Sequence, residues 1–135
     1  MTEISDDELM AAAREAQKNA YAPYSKFLVG AAILDDSGVV HRGCNVENAA
    51  YPQGACAEAN AIGAMALGGG RRIVKIAVVG GSGDVFCAPC GGCRQRINEF
   101  ADGSTQIIAP DGAGGLRRFT INDLLPDSFG PSDLA

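Results

Sequence analysis

The sequence lacks the features that mark polynucleotide-binding, membrane-spanning or phosphate-binding proteins. Its 135 residues contain 11 lysines and arginines against 16 aspartates and glutamates, so the formal net charge is −5. A basic face for a polynucleotide is therefore not expected. No apolar run approaches the length of a membrane span, and neither G-x-G-x-x-G nor G-x-x-x-x-G-K occurs. The acidic balance does not exclude a single nucleoside, which carries no phosphate.

Histidine, export signals and repeats are also scarce or absent. The acidic start M-T-E-I-S-D-D-E lacks the basic and then apolar pattern of a secretory signal, so a cytoplasmic location is expected. The one histidine, His41, lies in a predicted hairpin and is expected at the surface or in a hydrogen bond rather than at a metal. There is no internal repeat or linker, and we expect a single globular domain over residues 1–135.

The predicted elements alternate between helices and strands. Ser5 and Glu8 form a capping box that begins a helix, which Pro23 ends. Strands are predicted over 27–34, 39–46, 72–79, 105–109 and 116–119, helices over 56–67 and 90–100, a helical turn over 120–125, and a short extra strand around Val85 and Phe86. Strands joined through helices imply parallel neighbours and the opening hairpin an antiparallel pair. A mixed sheet with helices packed on it is therefore expected.

Five cysteines, an odd number, favour metal or redox chemistry over a disulfide framework. Cys56 and Cys90 each lie at a predicted helix start, where backbone N–H groups stabilise a thiolate, and Cys93 follows one turn after Cys90. Two such helix starts side by side would present three sulfurs to one ion. Zinc favours thiolates, and three ligands leave its fourth position open for water. Glu58, two residues after Cys56, can move the protons of that water without being a ligand.

The C-x-x-C spacing alone leaves other interpretations open. A dithiol of Cys90 and Cys93 that follows a strand and opens a helix is also typical of thioredoxin-like redox proteins. A structural zinc module would need a fourth ligand, for which Cys44 and Cys87 are the candidates. Both cysteines lie in strand-like stretches, which favours small buried core residues.

The segments C-A-E (56–58) and P-C-G-G-C-R-Q (89–95) together resemble the zinc-dependent cytidine deaminases. The segments Y-A-P-Y-S-K-F-L-V-G-A-A (21–32), G-C-N-V-E-N-A (43–49) and L-L-P-D-S-F-G-P (124–131) are similar to the small homotetrameric class that acts on free nucleosides. The resemblance covers nearly the whole chain. It implies a three-layer α/β/α fold of one domain, with a mixed five-stranded sheet and helices on both faces.

This resemblance implies hydrolysis of cytidine and 2′-deoxycytidine to uridine and 2′-deoxyuridine with release of ammonia, a reaction of pyrimidine salvage. It implies one zinc ion per chain on Cys56, Cys90 and Cys93, whose hydroxide attacks C4 while Glu58 shuttles protons. The implied substrate contacts are the backbone N–H of Ala57 to the base carbonyl, Phe27 on the base, Asn45 and Glu47 on the ribose 3′-hydroxyl, Tyr24 beside the sugar, and Tyr51 and Phe129 from a neighbouring subunit of a homotetramer. Neither a membrane nor a nucleic acid polymer is an expected partner.

One position departs from the family pattern. The family commonly has an arginine after C-A-E, which hydrogen-bonds the zinc thiolates and offsets their charge, whereas this chain has Ala59. Helix N-termini, Asn60 or Arg94 are candidates to replace it, and the sequence does not choose among them. Blasticidin S deaminases share the zinc elements and can lack this arginine, but the N-V-E-N segment and the tail favour the nucleoside enzyme. The acidic balance disfavours a polynucleotide-editing deaminase.

Overall fold

The computed structural model describes residues 4–135, and its strands form one five-stranded mixed sheet in the order β2-β1-β3-β4-β5. The strands are β1 (Val29–Asp35), β2 (Val40–Cys44), β3 (Ile73–Gly80), β4 (Gln106–Pro110) and β5 (Leu116–Thr120), and the helices are α1 (Asp6–Gln17), α2 (Ala57–Leu67), α3 (Gly91–Glu99) and α4 (Ile121–Leu124), with 3₁₀ turns at Tyr51–Gln53 and Pro131–Asp133. Within the described residues, no helix has the length and apolar character needed to cross a membrane.

Helices cover both faces of the sheet, which confirms the expected three layers. Along β1, Ala31 and Ile33 pack into the core under α2 and α3, while Ala32 and Leu34 pack into a second core under α1. Because both faces of this inner strand are covered, its sequence is apolar at nearly every position rather than alternating.

The strand neighbours differ from the prediction in one respect. Helix α3 joins β3 and β4, which pair in parallel as expected. Helix α2 joins β2 and β3, which run in the same direction but are separated by β1, antiparallel to both. The expectation of adjacent strands was therefore wrong for this crossover, because β1, apolar on both faces, lies between them. The short strand predicted around Val85 and Phe86 is also absent, since residues 81–90 run as turns and loop between Gly80 and the Pro89 segment.

Two glycines let helices lie directly on the strand backbone. A Cβ atom on Gly43 of β2 would lie 2.4 Å from both the carbonyl oxygen of Ala57 and the nitrogen of Ala61 in α2. A Cβ atom on Gly30 of β1 would lie 2.0 Å from the carbonyl oxygen of Ala13 in α1. The first turn of α2 is thus held against the sheet by a contact that tolerates no side chain.

We expect Gly43→Ala to destabilise the protein by about 1–3 kcal/mol, because the added methyl group pushes α2 away from β2. Urea denaturation measures this change. Gly63→Ala is the matched control: a Cβ atom on Gly63, also in α2, meets no atom within 4 Å. That substitution should stabilise the helix by about 0.5–1 kcal/mol. Equal effects of the two substitutions would contradict the close-contact explanation.

The turn between β1 and β2 is organised by a buried carboxylate. Asp35, only 2% exposed, accepts hydrogen bonds from the backbone and hydroxyl of Ser37 (2.8 and 2.7 Å) and from the backbone of Val39 (3.0 Å). His41 Nε2 lies 2.7 Å from its other oxygen, so this histidine is hydrogen-bonded, as predicted. Burial alone would raise the pKa of Asp35, but the bonds from His41, Ser37 and Val39 prevail and lower it to about 2.

The pH dependence of stability should report this carboxylate. Its folded pKa of about 2 lies below an unfolded value of about 3.9, so its contribution is present above pH 4 and is lost as the pH falls from about 4 to about 2. We expect Asp35→Asn to lower the free energy of unfolding by about 2 kcal/mol at pH 6. In urea denaturation from pH 6 to pH 3, this difference should shrink with pH. Asp84→Asn, in an exposed loop, is the control; a constant Asp35→Asn difference would refute the interpretation.

Candidate active site and metal centre

Three thiols meet where α2 and α3 begin. Cys56 is the N-cap residue of α2, Cys90 is the N-cap residue of α3, and Cys93 lies in the first turn of α3. Their three sulfur atoms all lie within 4.8 Å of one another. Among residues 4–135, no fourth cysteine, histidine or carboxylate joins this cluster. A soft donor set of three thiols with one position left over fits a catalytic zinc site better than a closed structural one.

The two candidate fourth ligands lie elsewhere. Cys44 ends β2, and Cys87 lies in the loop before α3. Both are half-buried, so the prediction that they are buried core residues was wrong. The reason is local: no strand forms around Cys87, which instead lines a cavity beside the thiol cluster, and Cys44 lines a surface cavity beside α1.

The electrostatics of the three thiols differ. Burial raises the pKa of Cys56 and of Cys93, and the nearby Glu58 carboxylate raises both further. The backbone N–H of Cys93 lowers the pKa of Cys90. The backbone at the start of α3 thus favours the Cys90 thiolate, as expected, whereas at Cys56 desolvation outweighs any such effect. A coordinated divalent cation reverses this balance, because a coordinating thiol is deprotonated outright.

Glu58 is buried beside the thiols in the first turn of α2, with 4% of its surface exposed. Burial raises its pKa, and its own backbone N–H, the Cys93 thiol and the Arg96 guanidinium act in the opposite direction. A carboxyl group desolvated in this way is suited to take up and return a proton near neutral pH.

Most of the sequence-predicted site residues line two cavities that join. The inner cavity, of about 330 Å³, is lined by Ser25, Phe27, Val29, Asn45, Glu47, Cys56, Ala57, Glu58, Val78, Cys87, Ala88 and Cys90. The outer cavity, of about 360 Å³, is lined by Tyr24, Ser25, Glu47, Asn48, Tyr51 and Gly54. Because Ser25 and Glu47 belong to both, the thiols and Glu58 lie at one end of a continuous cleft and two tyrosines at the other.

Asn45 and Glu47 hold the loop that carries Phe27. The side-chain amide of Asn45 donates to the carbonyl of Phe27 (2.9 Å) and accepts from the backbone of Val29 (2.8 Å). Glu47 accepts from the backbone of Tyr24 (3.0 Å), from the backbone of Ser25 (3.1 Å) and from the Ser25 hydroxyl. The Ser25 bonds lower the pKa of Glu47. Each side chain keeps hydrogen-bonding capacity for a ligand, but both also shape the pocket.

The ring of Phe27 lies against a stretch of bare backbone. A Cβ atom on Gly80 or on Gly81 would come within 3.0 Å of the ring, and Gly81 adopts a φ of +62°. The sulfur of Cys87 would lie 3.0 Å from the same Gly80 Cβ position. The sequence shows these two glycines only as a loop after a strand, so their role as the seat of the aromatic ring was not predicted.

The side chain that contacts a thiol in place of the family's arginine is none of the candidates that the sequence offered. Asn60 donates to the carbonyl of Cys44 (2.7 Å), and Arg94 donates to the carbonyls of Pro89 (2.8 Å) and Leu124 (3.0 Å). Instead, Arg96 Nη1 lies 3.8 Å from the sulfur of Cys93. The available signal was the spacing, because residues three apart on a helix lie on the same face.

Among the predicted substrate contacts, Phe129 is the one that does not line the cleft. Its carbonyl accepts hydrogen bonds from the side chains of Gln95 (2.8 Å) and Asn98 (3.2 Å), which fix the tail on α3. Its side chain is 58% exposed, and Tyr51 at the mouth of the cleft is 75% exposed. Their contribution to a neighbouring subunit stays a prediction.

The family model and the sequence relatives of this chain indicate the same family. Residues 3–109 match the family model of the cytidine and deoxycytidylate deaminase zinc-binding region. A cytidine deaminase of Sporosarcina psychrophila is 41% identical over 130 residues, covering 96% of this chain and 94% of the relative. One from Mycobacterium tuberculosis is 42% identical over 134 residues, covering 99% and 96%.

Solved structures agree with the sequence relatives. The crystal structure of cytidine deaminase from Burkholderia pseudomallei matches with a TM-score of 0.86 and 41% identity, covering 93% of this chain and 100% of that one. That of Mycobacterium tuberculosis matches with a TM-score of 0.83 and 42% identity, covering 94% and 98%. The family model spans both zinc elements, and the relatives and solved structures are cytidine deaminases, which removes the redox-dithiol and structural-zinc interpretations. The chain belongs to the cytidine and deoxycytidylate deaminase family.

Proposed function

We propose that this protein is a cytidine deaminase, which hydrolyses cytidine and 2′-deoxycytidine to uridine and 2′-deoxyuridine and releases ammonia. The observation that carries the proposal is the buried Glu58 beside three thiols at the inner end of a cleft. The inner cavity, of about 330 Å³, is within the usual range for a small-molecule site. The relatives named above also support the proposal, since each is a cytidine deaminase.

The three thiols would hold one zinc ion per chain. Cys56 would bind it from the start of α2, and Cys90 and Cys93 from the start of α3. When bound, such an ion supplies a Lewis acid that makes water acidic enough to act as a nucleophile near neutral pH. The protein's part is to hold the sulfurs on two rigid helix starts and to leave the side facing the cleft free.

Glu58 would move both protons of the reaction. It would take a proton from the attacking water and deliver protons to N3 of the ring and to the departing amino group. The C4–O bond forms, the C4–N bond breaks, and the two water protons finish on N3 and on ammonia. A buried carboxyl group whose pKa is raised exchanges protons more readily than an exposed one.

The rest of the cleft would orient the nucleoside. The backbone N–H of Ala57 would bind the base carbonyl, and Phe27 would pack on the base. Asn45 and Glu47, two residues apart, would bind the ribose 3′-hydroxyl with the capacity that their loop contacts leave. The sequence shows no obvious discriminator at the 2′ position, so both sugars should be accepted. Tyr24 would border the sugar.

We expect Glu58→Gln to reduce kcat for cytidine by at least about 10²–10⁴-fold, because the amide cannot carry a proton. Loss of the cytidine absorbance band with ammonia release measures turnover, and metal analysis of the same sample measures zinc. Zinc should remain bound, since Glu58 is not a ligand. Glu99→Gln, exposed at the end of α3, is the control.

The outcomes separate the parts of the proposal. Full activity in Glu58→Gln would overturn its role as proton carrier. A wild-type protein with zinc but no cytidine turnover would point instead to another amino-pyrimidine substrate, blasticidin S first, which Ala59 keeps as the second candidate. A wild-type protein that binds no zinc would overturn the metal centre.

We further propose a homotetramer in which Phe129 and Tyr51 complete a neighbour's cleft. Both aromatic side chains are mostly exposed in the single chain, and the hydrogen bonds to α3 hold the Phe129 backbone in place while its ring projects outward. Exposed aromatic side chains on fixed backbone are typical of interface residues. A role in pyrimidine salvage in the cytoplasm is the expected setting.

Phe129→Ala should raise KM for cytidine by about tenfold or more, because an aromatic ring that stacks on the base contributes at least about 1.4 kcal/mol. Zinc content should not change. Leu134→Ala, another exposed apolar residue of the tail (81% exposed), should leave KM unchanged. Light scattering gives the mass of the assembly, and a mass equal to one 13.8 kDa chain would refute both the tetramer and this role.

A further inference from the structure

We propose that Arg96 is the positioning cation of the metal centre, which stabilises the anionic thiolate cluster through Cys93; this inference rests on the zinc site of the proposed function. Its Nη1 atom lies 3.8 Å from the sulfur of Cys93. Across residues 4–135, no other cationic side chain donates a hydrogen bond to any of the three sulfurs. Arg96 therefore takes a place that neither Asn60 nor Arg94 fills.

The cluster needs a positive charge beyond that of the metal. Three thiolates and one divalent ion sum to a net charge of −1, and the buried Glu58 adds a carboxyl group next to them. An uncompensated charge in a desolvated place is costly, and a charge-assisted hydrogen bond reduces that cost. Ala59, next to Glu58 on α2, offers no charge. The Arg96 guanidinium on α3 supplies one at Cys93.

The geometry of α3 explains how Arg96 reaches Cys93. Helical side chains lean toward the N-terminus, so a residue one turn further along covers the preceding turn. The guanidinium lies over the first turn beside Gly92: a Cβ atom there would be 3.4 Å from Nη1 of Arg96, at van der Waals contact. The guanidinium thus folds back over the first turn of the helix.

Helix stability alone does not account for this arrangement. The N-terminus of a helix carries partial positive charge, so a guanidinium folded toward it is electrostatically unfavourable unless an anion lies there. Cys90 and Cys93 supply that anion as thiolates. Arg96 is itself exposed, so the fold does not need it for core packing. Its conformation is best explained by the charge of the metal centre.

The test measures zinc affinity of the full-length protein by competition with a chromogenic chelator at fixed pH and low salt. Arg96→Gln removes the charge and Arg96→Glu reverses it. Loss of an outer-shell partner typically weakens metal binding by about 10–100-fold. We therefore expect a decrease of about tenfold or more for Arg96→Gln and a larger one for Arg96→Glu. Arg42→Gln and Arg42→Glu, on an exposed position of β2, apply the same charge changes elsewhere and should shift affinity less than about twofold.

Three results would overturn the inference. Zinc affinities of both Arg96 variants within twofold of wild type would remove the role. Equal weakening by Arg96→Gln and Arg96→Glu, with a lowered melting temperature of the metal-free protein, would assign Arg96 to packing. Equal weakening by the Arg42 pair would assign the effect to net charge. A wild-type protein that binds no zinc at all would instead refute the metal centre of the proposed function, so the two failures are distinguishable.

Discussion

The direct contact between the backbone of α2 and that of β2 is the constraint on which the rest of the site depends. Gly43 permits it, because any side chain there would overlap Ala57 and Ala61. With α2 fixed in this position, its first residues meet the start of α3, and three sulfurs from separate parts of the chain come within 4.8 Å of one another. The sheet thus positions the starts of α2 and α3, and the three thiols meet at these two helix starts.

The electrostatics of the thiol cluster reflect a balance between burial and nearby positive groups. Thiols and a carboxylate are buried together, and burial raises the pKa of Cys56, Cys93 and Glu58. The opposing contributions come from backbone N–H groups at the starts of both helices and from the Arg96 guanidinium. The three sulfurs are thus compatible with a bound cation, and Arg96 on α3 is the guanidinium that contacts one of them. Such an arrangement favours a metal over a free dithiol.

The fold and the meeting of the three thiols could be predicted from the sequence because their signals are local. A capping box, an apolar strand and two cysteines one helical turn apart each follow from short-range geometry. The errors came from long-range effects: the place of β1 between β2 and β3 depends on which strand has two apolar faces to bury, and the loop around Cys87 depends on tertiary contacts. Arg96 was missed because its role appears only when the direction of its side chain is known. The roles of the substrate-binding residues stay predictions.

The hydrogen bonds from Gln95 and Asn98 to the carbonyl of Phe129 have a consequence for assembly. Helix α3, with its N-cap residue, carries two of the three sulfurs and also donates the hydrogen bonds that hold the tail. Local order around the thiols and the placement of the tail are therefore properties of one rigid element. If the tail completes a neighbouring cleft, α3 would hold two sulfurs of its own subunit's site and, through the Phe129 backbone, place an aromatic ring in the next one. A substitution in this helix would then affect two clefts at once.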